Sequence, residues 1–569
     1  MKNLKVAIKI VILFTIVLIS CEKEEIDITS TELQNNDISE SNELIIIGKK
    51  REDPYNIKNI AQAYINLKSV NSKMPDIDIK PTHYYLRFLP QDNDEWNILR
   101  LDTTLILYDF PLDYEIEKFG TFYHDPSLPE DKITWQYCVV PIKYNIPSIQ
   151  HELIYEVFIP DYENDKRFLD SKQFLADLEY ESVKLTGNLH QDEKDLVNAK
   201  GRWKPKGTIK VWDDIIGSNT TPVKIFDHWE YYDCGGNEFD PKQRIVAPIE
   251  QCKRAVYHYE YITNTGSYIP LANVSVHARW FTHVERDLTD ENGYFETGSF
   301  IYEVNYAIKW ERGYYNILNG MVHQAWYNGP KKKGDWNLNI GSGKSIMYAT
   351  IHRAAHKQFY GDNLGIQRPI VYSKINICYM DSEGTGIFWG EWAGGLLPDI
   401  KIWGKSPSTG NYRSTEDVFG TTTHELGHLS HWQYIGKLQY MQVSEIVYES
   451  WATAVEWALT NDEYHRMGDR FGGDAAINLN YNSGKMYWPV DATWEYSPIF
   501  IDLMDEINQR LIMGVSYPND LISGFSLSYI QNNILNDAYG LSSLRNAIKD
   551  NKLSNVTNSE IDELFALYW

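Results

Sequence analysis

The chain has 569 residues, more than one hydrophobic core can serve, so about two to four domains are expected. Hydrophobic residues make up 43% and charged residues 23%, as in ordinary globular proteins. The formal net charge is -24, and no run of Lys or Arg offsets it. This negative charge argues against a nucleic-acid-binding function, which needs a concentrated positive charge to hold the phosphates.

The first twenty residues have the composition of an export signal. Three lysines precede the apolar run Ile10–Ile19, and the small residue Ser20 comes directly before Cys21. The run has about half of the ~20 residues that span a bilayer, so a retained transmembrane helix is not expected. Leu18–Cys21 also resembles a bacterial lipobox, and Glu22–Glu25 looks like the surface-export signal of Bacteroidetes lipoproteins.

The lipobox resemblance implies a lipid anchor on Cys21 and a protein exposed at the outer membrane. The alternative is a plain signal peptide with an incidental Cys. Residues 21–50 are rich in Glu, Asp, Asn, Ser and Thr, and they are predicted to be a flexible tether.

Four further cysteines follow, and four cysteines permit three full pairings. Cys234 and Cys252 lie in one polar stretch, and export leads to an oxidising compartment. We therefore expect a disulfide between them. Four buried free thiols are the alternative.

Residues 51–205 are predicted to form an α+β leader domain. The pattern indicates a helix at Ile57–Val70 and strands at Tyr84–Leu89 and Thr104–Tyr108, separated by turns rich in Pro and Asp. It indicates no function for this domain.

Residues 206–320 are predicted to be all-β. Gly207–Val211 predicts one strand, and alternating apolar residues along Val274–Trp280 predict another. The turn Asp290–Gly293, directly before Tyr294 and Phe295, predicts a β-hairpin.

Two segments of this region, Pro270–Val276 and Thr289–Phe295, together resemble a carboxypeptidase-regulatory-like (transthyretin-like) sandwich. The resemblance implies a fold and says little about activity. A long insert, about 218–265, interrupts the predicted sandwich.

From about residue 340 the spacing of apolar residues changes towards the helical period. An amphipathic helix is predicted for Lys344–Tyr360, followed by strands and loops to about 412. Further helices are predicted at roughly 415–433, 443–460, 498–513, 526–536, 541–550 and 559–567.

The segment His424–His428 spells His-Glu-Leu-Gly-His, the H-E-x-x-H pattern of zinc peptidases. Residues four apart project from one helical face, so His424 and His428 can reach one ion. Catalytic zinc lowers the pKa of its water to about 7, and Glu425 would accept the proton as general base. Ser414, with Asp417 three residues later, predicts the start of this helix.

Other histidines are weaker candidates. His431 lies on the same face as His424 but about 10 Å away along the axis, too far for one tetrahedral ion. The metzincin pattern does not apply, because this chain has His431 and Tyr434 where that pattern needs Gly and His. His352 and His356 are also four apart, but no Glu stands between them as a base, so a structural role is expected.

The next predicted helix carries Glu449, 21 residues after His428. This arrangement resembles the gluzincin (thermolysin-like) peptidases, and the resemblance implies Glu449 as the third zinc ligand. The small residues Gly427, Ala452 and Thr453 would let the two helices approach closely. Two neighbouring carboxylates remain rivals: Glu445 and Glu456.

The gluzincin resemblance also implies an edge strand that pairs with the substrate backbone. Pro398–Trp403 occupies that place in the chain, with Pro at its start and a Lys inside. A donor to the oxyanion of the reaction is expected as well. His465, Tyr487 and Tyr496 could serve, and no spacing rule selects one.

These patterns predict a multidomain protein. It would have an α+β leader domain, a transthyretin-like β-sandwich and, at 340–569, a mainly helical zincin-like catalytic domain with a small mixed sheet. We expect a monomeric zinc peptidase that cleaves extracellular proteins and meets the membrane through Cys21. Its zinc ligands would be His424, His428 and Glu449. The alternative is a surface adhesion or binding lipoprotein with a vestigial or structural zinc site.

Overall fold

The computed structural model describes residues 44–71, 76–162, 172–189, 202–216, 219–233, 251–264, 266–368, 374–384, 386–388, 399–471 and 496–568, without side chains for 219–233 and 251–264. The predicted signal peptide and lipobox lie outside these residues. The predicted end of the tether at residue 50 is wrong, because Ile46–Lys50 is a strand and Ile45 before it is buried. Four consecutive apolar residues, 44–47, give this stretch a reason to fold.

The first part of the chain combines a small antiparallel sheet with helices. Its elements are β1 (Ile46–Lys50), α1 (Ile57–Val70), β2 (His83–Phe88), α2 (Asn93–Leu101), β3 (Tyr114–Lys118), β4 (Gln136–Pro141), β5 (His151–Val157) and α3 (Lys172–Leu185). Strand β2 pairs with β4 and β5, and β1 pairs with β3. The predicted helix Ile57–Val70 is confirmed by α1, and the strand predicted at Tyr84–Leu89 is confirmed by β2.

The strand predicted for Thr104–Tyr108 is wrong. The carboxylate of Asp102 accepts hydrogen bonds from the backbone N–H and the hydroxyl of Thr104, at 2.9 and 2.6 Å. These bonds hold a local turn, which competes with strand pairing. Within this stretch Tyr108 alone forms a bridge, to Tyr137.

The middle of the chain is built from strands. They are β6 (Lys206–Asp213), β7 (Asn219–Asp233), β8 (Gln251–Asn264), β9 (Ser267–Pro270), β10 (Ser275–Trp280), β11 (His283–Leu288), β12 (Tyr294–Glu296), β13 (Val304–Lys309), β14 (Tyr315–Asn319), β15 (His323–Gln324), β16 (Trp326–Lys332) and β17 (Leu338–Ile340). One sheet has the order β11-β10-β13-β16, and a second has β12-β6-β17 with β9 also on β6. Aromatic side chains from both sheets meet in one core, as Phe295 and Tyr306 do at 6.2 Å between ring centroids.

The hairpin predicted around Asp290–Gly293 is wrong, although the turn itself forms. Gly293 has φ +76° and donates to the carbonyl of Asp290. The strand after the turn pairs with β6 instead of β11, because this places Phe295 in the core between the sheets. The turn therefore joins the two sheets.

The predicted insert forms a ribbon of its own. Strands β7 and β8 pair antiparallel with each other and, in the part of the chain that the structure describes, with no other strand. The disulfide predicted between Cys234 and Cys252 lies outside the described side chains. Cys138 and Cys378 are buried free thiols.

The last part of the chain combines a mixed sheet with helices. Its elements are α4 (Gly343–Phe359), β18 (Ile375–Glu383), β19 (Gly386–Phe388), β20 (Ile400–Lys405), α5 (Thr415–Ile435), α6 (Lys437–Tyr440), α7 (Glu445–Phe471), α8 (Ile499–Asp502), α9 (Gln509–Met513), α10 (Leu527–Asn533), α11 (Leu541–Asp550) and α12 (Asn558–Leu564). The sheet has the order β15-β14-β18-β20-β19, with β14, β18 and β20 parallel. No helix in the described ranges is long and apolar enough to cross a bilayer.

Two of the predicted helices differ from the structure. The helix predicted for 498–513 is split into α8 and α9, where the carboxylate of Asp505 accepts the N–H of Ile507 and holds a turn. The helix predicted as amphipathic at Lys344–Tyr360 is present as α4, but it is buried on nearly all sides. Its polar residues have buried partners, such as the carbonyl of Leu426 for the amide of Gln358, 3.2 Å away.

Asp213, the last residue of β6, joins the sandwich to the helices behind it. Its carboxylate is fully buried and pairs with Arg353 of α4 at 2.6 Å. It also accepts the hydroxyl of Tyr464 from α7 at 3.0 Å. The strands and helices therefore share one buried ionic contact.

We predict that Arg353→Met lowers the free energy of unfolding by about 3–5 kcal/mol, because it leaves the buried carboxylate of Asp213 without its cation. Urea unfolding of the purified protein measures this. Lys68→Met is the matched control, since it removes one partner of the exposed pair Lys68–Asp76 and should leave the urea midpoint close to that of the wild type. Similar midpoints for the two variants would contradict the prediction.

Candidate metal centre

The predicted zinc-peptidase motif lies in the middle of the buried helix α5. The helix begins as predicted, since the hydroxyl of Ser414 accepts the N–H of Asp417 at 3.1 Å. Asp214, which follows β6, also accepts the backbone N–H of Thr415 at 3.0 Å. The start of the motif helix is thus held by its own cap and by the sandwich.

Helix α7 packs closely along α5 at Gly427. A Cβ at this glycine would lie 3.2 Å from Cβ of Val455 and 3.3 Å from Cα of Ala452. Such distances are tighter than ordinary Cβ contacts, so the two helices approach closely at Gly427 and Ala452, as expected. The approach brings Glu449, one turn before Ala452, to the face of α5 that carries the histidines.

The three predicted ligands converge. One carboxylate oxygen, Oε2 of Glu449, lies 3.1 Å from Nε2 of His424 and 3.3 Å from Nε2 of His428. All three ligand atoms lie within 4.8 Å of one another. Two atoms that each bind a tetrahedral zinc ion at about 2.1 Å are about 3.4 Å apart, so the spacing fits zinc.

The other ring nitrogens of both histidines are also held. Nδ1 of His424 lies 3.1 Å from Oε2 of Glu456, and Nδ1 of His428 lies 3.2 Å from the hydroxyl of Tyr440. Contacts of this kind orient a metal-binding imidazole and leave its Nε2 facing the ion. If His424 binds a metal through Nε2, Glu456 would therefore orient its ring from the other side. Tyr440 was not predicted, because it lies in the short connection between the helices, where no spacing rule applies.

The other candidate ligands do not lie at the convergence of His424, His428 and Glu449. Glu445 is exposed, and His431 is buried against the ring of Tyr440 with centroids 5.1 Å apart. The structural role expected for the second histidine pair is supported at His352, whose Nε2 lies 3.0 Å from the carbonyl oxygen of Ala272.

The charges of the centre stabilise one another. Burial lowers the pKa of His424, but hydrogen bonds with Glu449 and Glu456 outweigh burial and raise it to about 9. Burial raises the pKa of Glu449, but its bonds with His424 and His428 lower it to about 2. A metal cation would compete with the proton that these groups share, so its binding would release protons.

Glu425 lies beside the ligands and is 5% exposed. Burial raises its pKa, and the nearby His424 and His428 oppose the rise. Its Oε1 occupies the space where a Cβ at Gly386 would lie. A glycine in β19 is therefore required for the carboxylate to take this position.

The predicted edge strand is wrong. Strand β20, which covers most of Pro398–Trp403, has neighbours on both sides, because β19 pairs antiparallel with it. Among the described residues β19, Gly386–Phe388, is one of the two edge strands of this sheet, and it directly borders Glu425. The Pro and Lys of the longer segment suggested an edge, whereas β19 is too short to give a periodic signal.

A cleft of about 480 Å³ opens over the ligands and Glu425. Its remaining walls are mostly aromatic or apolar: Ile387, Phe388, Tyr440, Met441, Val443, Tyr448 and Tyr496. Of the three predicted oxyanion donors, Tyr496 lines this cleft, with its ring centroid 6.2 Å from that of His424. His465 is exposed and does not line it, and Tyr487 lies outside the described residues.

We predict that Glu449→Ala lowers zinc affinity steeply, because two imidazoles alone would then hold the ion. Glu456→Ala should lower it by about 10–100-fold, as expected for a carboxylate that orients a ligand. Glu445→Ala is the matched control on the same helix and should bind as the wild type does. Competition titrations with a chromophoric chelator measure all three. Wild-type affinity in Glu449→Ala would rule out this ligand.

Comparisons with known protein families, with curated proteins and with solved structures find no match for this chain. The gluzincin and transthyretin-like resemblances therefore stay predictions. The candidate metal centre is described by its own geometry: two imidazoles and one carboxylate converge, and a second carboxylate lies beside them.

Proposed function

We propose that the chain is a zinc-dependent peptidase that hydrolyses peptide bonds of extracellular proteins. The observation that carries the proposal is the convergence of Nε2 of His424 and His428 on one oxygen of Glu449, at 3.1 and 3.3 Å. Zinc held by these residues would lower the pKa of its water to about 7 and polarise a carbonyl. A structural zinc site has four protein ligands, whereas the group found among the described residues has three, as in a catalytic site.

Glu425 supplies the proton acceptor. It is next to His424 in the chain, is buried beside the ligands and has a pKa raised by burial. A carboxylate of raised pKa is a stronger base, which suits it to take a proton from the attacking water and to pass it to the leaving amine. The glycine at position 386 leaves room for this carboxylate.

Strand β19 and the cleft walls would position the substrate. Gly386–Phe388 borders the cleft next to Glu425, so an extended peptide bound in the cleft would lie along this strand. The aromatic and apolar walls favour a large apolar side chain next to the scissile bond. Tyr496 could donate a hydrogen bond to the oxyanion that forms during attack.

We predict that Glu425→Gln retains zinc and the fold but loses peptidase activity by several orders of magnitude, because the amide cannot accept the proton. Turnover of unfolded casein is measured beside the zinc content of the same preparation. Full turnover in a zinc-loaded variant would exclude this role. If the wild type binds zinc but cleaves neither casein nor a peptide library, the adhesion alternative gains support.

The location is a separate part of the proposal. We expect Cys21→Ser to move the protein from the membrane fraction to the medium or periplasm, because no lipid can be attached. The catalytic properties should not change, because the predicted tether separates Cys21 from the candidate site. Fractionation with a carbonate wash measures the distribution. A variant that stays with the membrane would show that Cys21 is not the anchor.

A further inference from the structure

A second cavity, of about 280 Å³, lies where the first part of the chain, the sandwich and the start of the last part meet. It shares no lining residue with the metal cleft. Its lining carries six charged side chains: Arg100, Arg286, Arg312, Lys374, Asp102 and Glu311. Four cations and two carboxylates give it a charge of 4 - 2 = +2, in a chain whose net charge is -24.

The two carboxylates already have partners. Asp102 accepts the hydroxyl of Tyr144 at 2.8 Å. Glu311 pairs with both Lys309 and Lys374, each at 3.2 Å. The excess positive charge of the cavity therefore comes from its three arginines, which have no ion pair with any carboxylate in the described ranges.

Arg100 is the most buried of these, with 4% of its surface exposed. Its guanidinium lies 4.0 Å from the ring centroid of Trp96 and donates to Asn376 at 2.6 Å, while its Nε has no partner among the described residues. Burial lowers its pKa to about 10, although Glu311 and Asp399 oppose this. The carboxylate of Glu311 offsets part of the cost of burying this cation, and a bound anion would offset more of it.

The other two arginines lie at more open positions. Arg312 lies over the ring of Tyr360, 4.7 Å from its centroid, and its Nε likewise has no partner in the described part of the chain. Arg286 donates to the carbonyl of Thr103 at 3.0 Å. Neutral or aromatic contacts leave guanidinium N–H groups free for a stronger, charged acceptor.

We propose that this cavity binds a small oxyanion, a phosphate or carboxylate group, through Arg100, Arg286 and Arg312. The planar fork of a guanidinium matches two oxygens of such a group, and three forks around one cavity supply both charge and geometry. The arginines come from α2, β11 and the segment after β13, so the anion joins regions that are distant in the chain. Binding to the folded state alone raises its stability. This proposal does not depend on the peptidase proposal.

Calorimetric titration of the full-length protein with inorganic phosphate, sulfate and succinate, at constant ionic strength set with chloride, tests the site. We expect saturable binding at one site per chain and a higher thermal midpoint. Phosphate or sulfate binding alone identifies a tetrahedral anion, and succinate binding alone identifies a carboxylate. The absence of saturable binding for all three would overturn the proposal. A chelator, present in a parallel titration, excludes binding through a metal ion.

Variants locate the site. Arg312→Gln and Arg286→Gln should each lower the affinity for the anion at least tenfold, because each removes a guanidinium group from the wall of the cavity. Arg368→Gln is the matched control, since it removes the same charge from an exposed position outside the cavity. If both cavity variants bind as tightly as the control, or if the chelator abolishes binding, the anion binds elsewhere and the proposal is wrong.

Discussion

The close packing of α5 and α7 at Gly427 is the constraint on which the metal centre depends. A Cβ added at Gly427 would lie only 3.2 Å from Cβ of Val455 and 3.3 Å from Cα of Ala452, so the two helices lie close together here. At this distance a glutamate side chain from α7 reaches two imidazoles of α5 at once. A larger residue at 427 would press on Val455 and Ala452 of α7, the helix that also carries Glu449.

The candidate metal centre is also held by residues outside the group of His424, His428 and Glu449. Glu456 and Tyr440 fix the two imidazole rings, and Gly386 makes room for the carboxylate of Glu425. Asp214 holds the first turn of α5 from the sandwich. Because these contacts come from separate elements, the geometry of the ligands is a property of the packed structure and does not belong to the motif helix alone.

Features set by residues close together in the chain could be predicted from the sequence, whereas features set by long-range contacts could not. The motif helix, its cap at Ser414 and the helix that carries Glu449 follow from spacing within one or two turns, and these predictions agree with the structure. The choice between Glu449 and Glu456 needed the relative rotation of two helices. The edge strand was misplaced because strand order is set by long-range pairing, and a three-residue strand such as Gly386–Phe388 has no periodic pattern. The hairpin at Asp290–Gly293 failed for the same reason.

Strand pairing across the boundary near residue 340 determines whether the protein can be cut into separately folding fragments. Strand β14, from the segment predicted as sandwich, pairs in parallel with β18, while β16 and β17 return to the sandwich sheets. Asp213 and Asp214 add charged contacts across the same boundary. A fragment cut at residue 340 would separate β14 from β18 and Arg353 from Asp213, and it would leave Arg353 only the longer 3.9 Å contact with Glu463. The two regions therefore form one folding unit. The segment that carries the motif is not an independent domain that could be expressed alone.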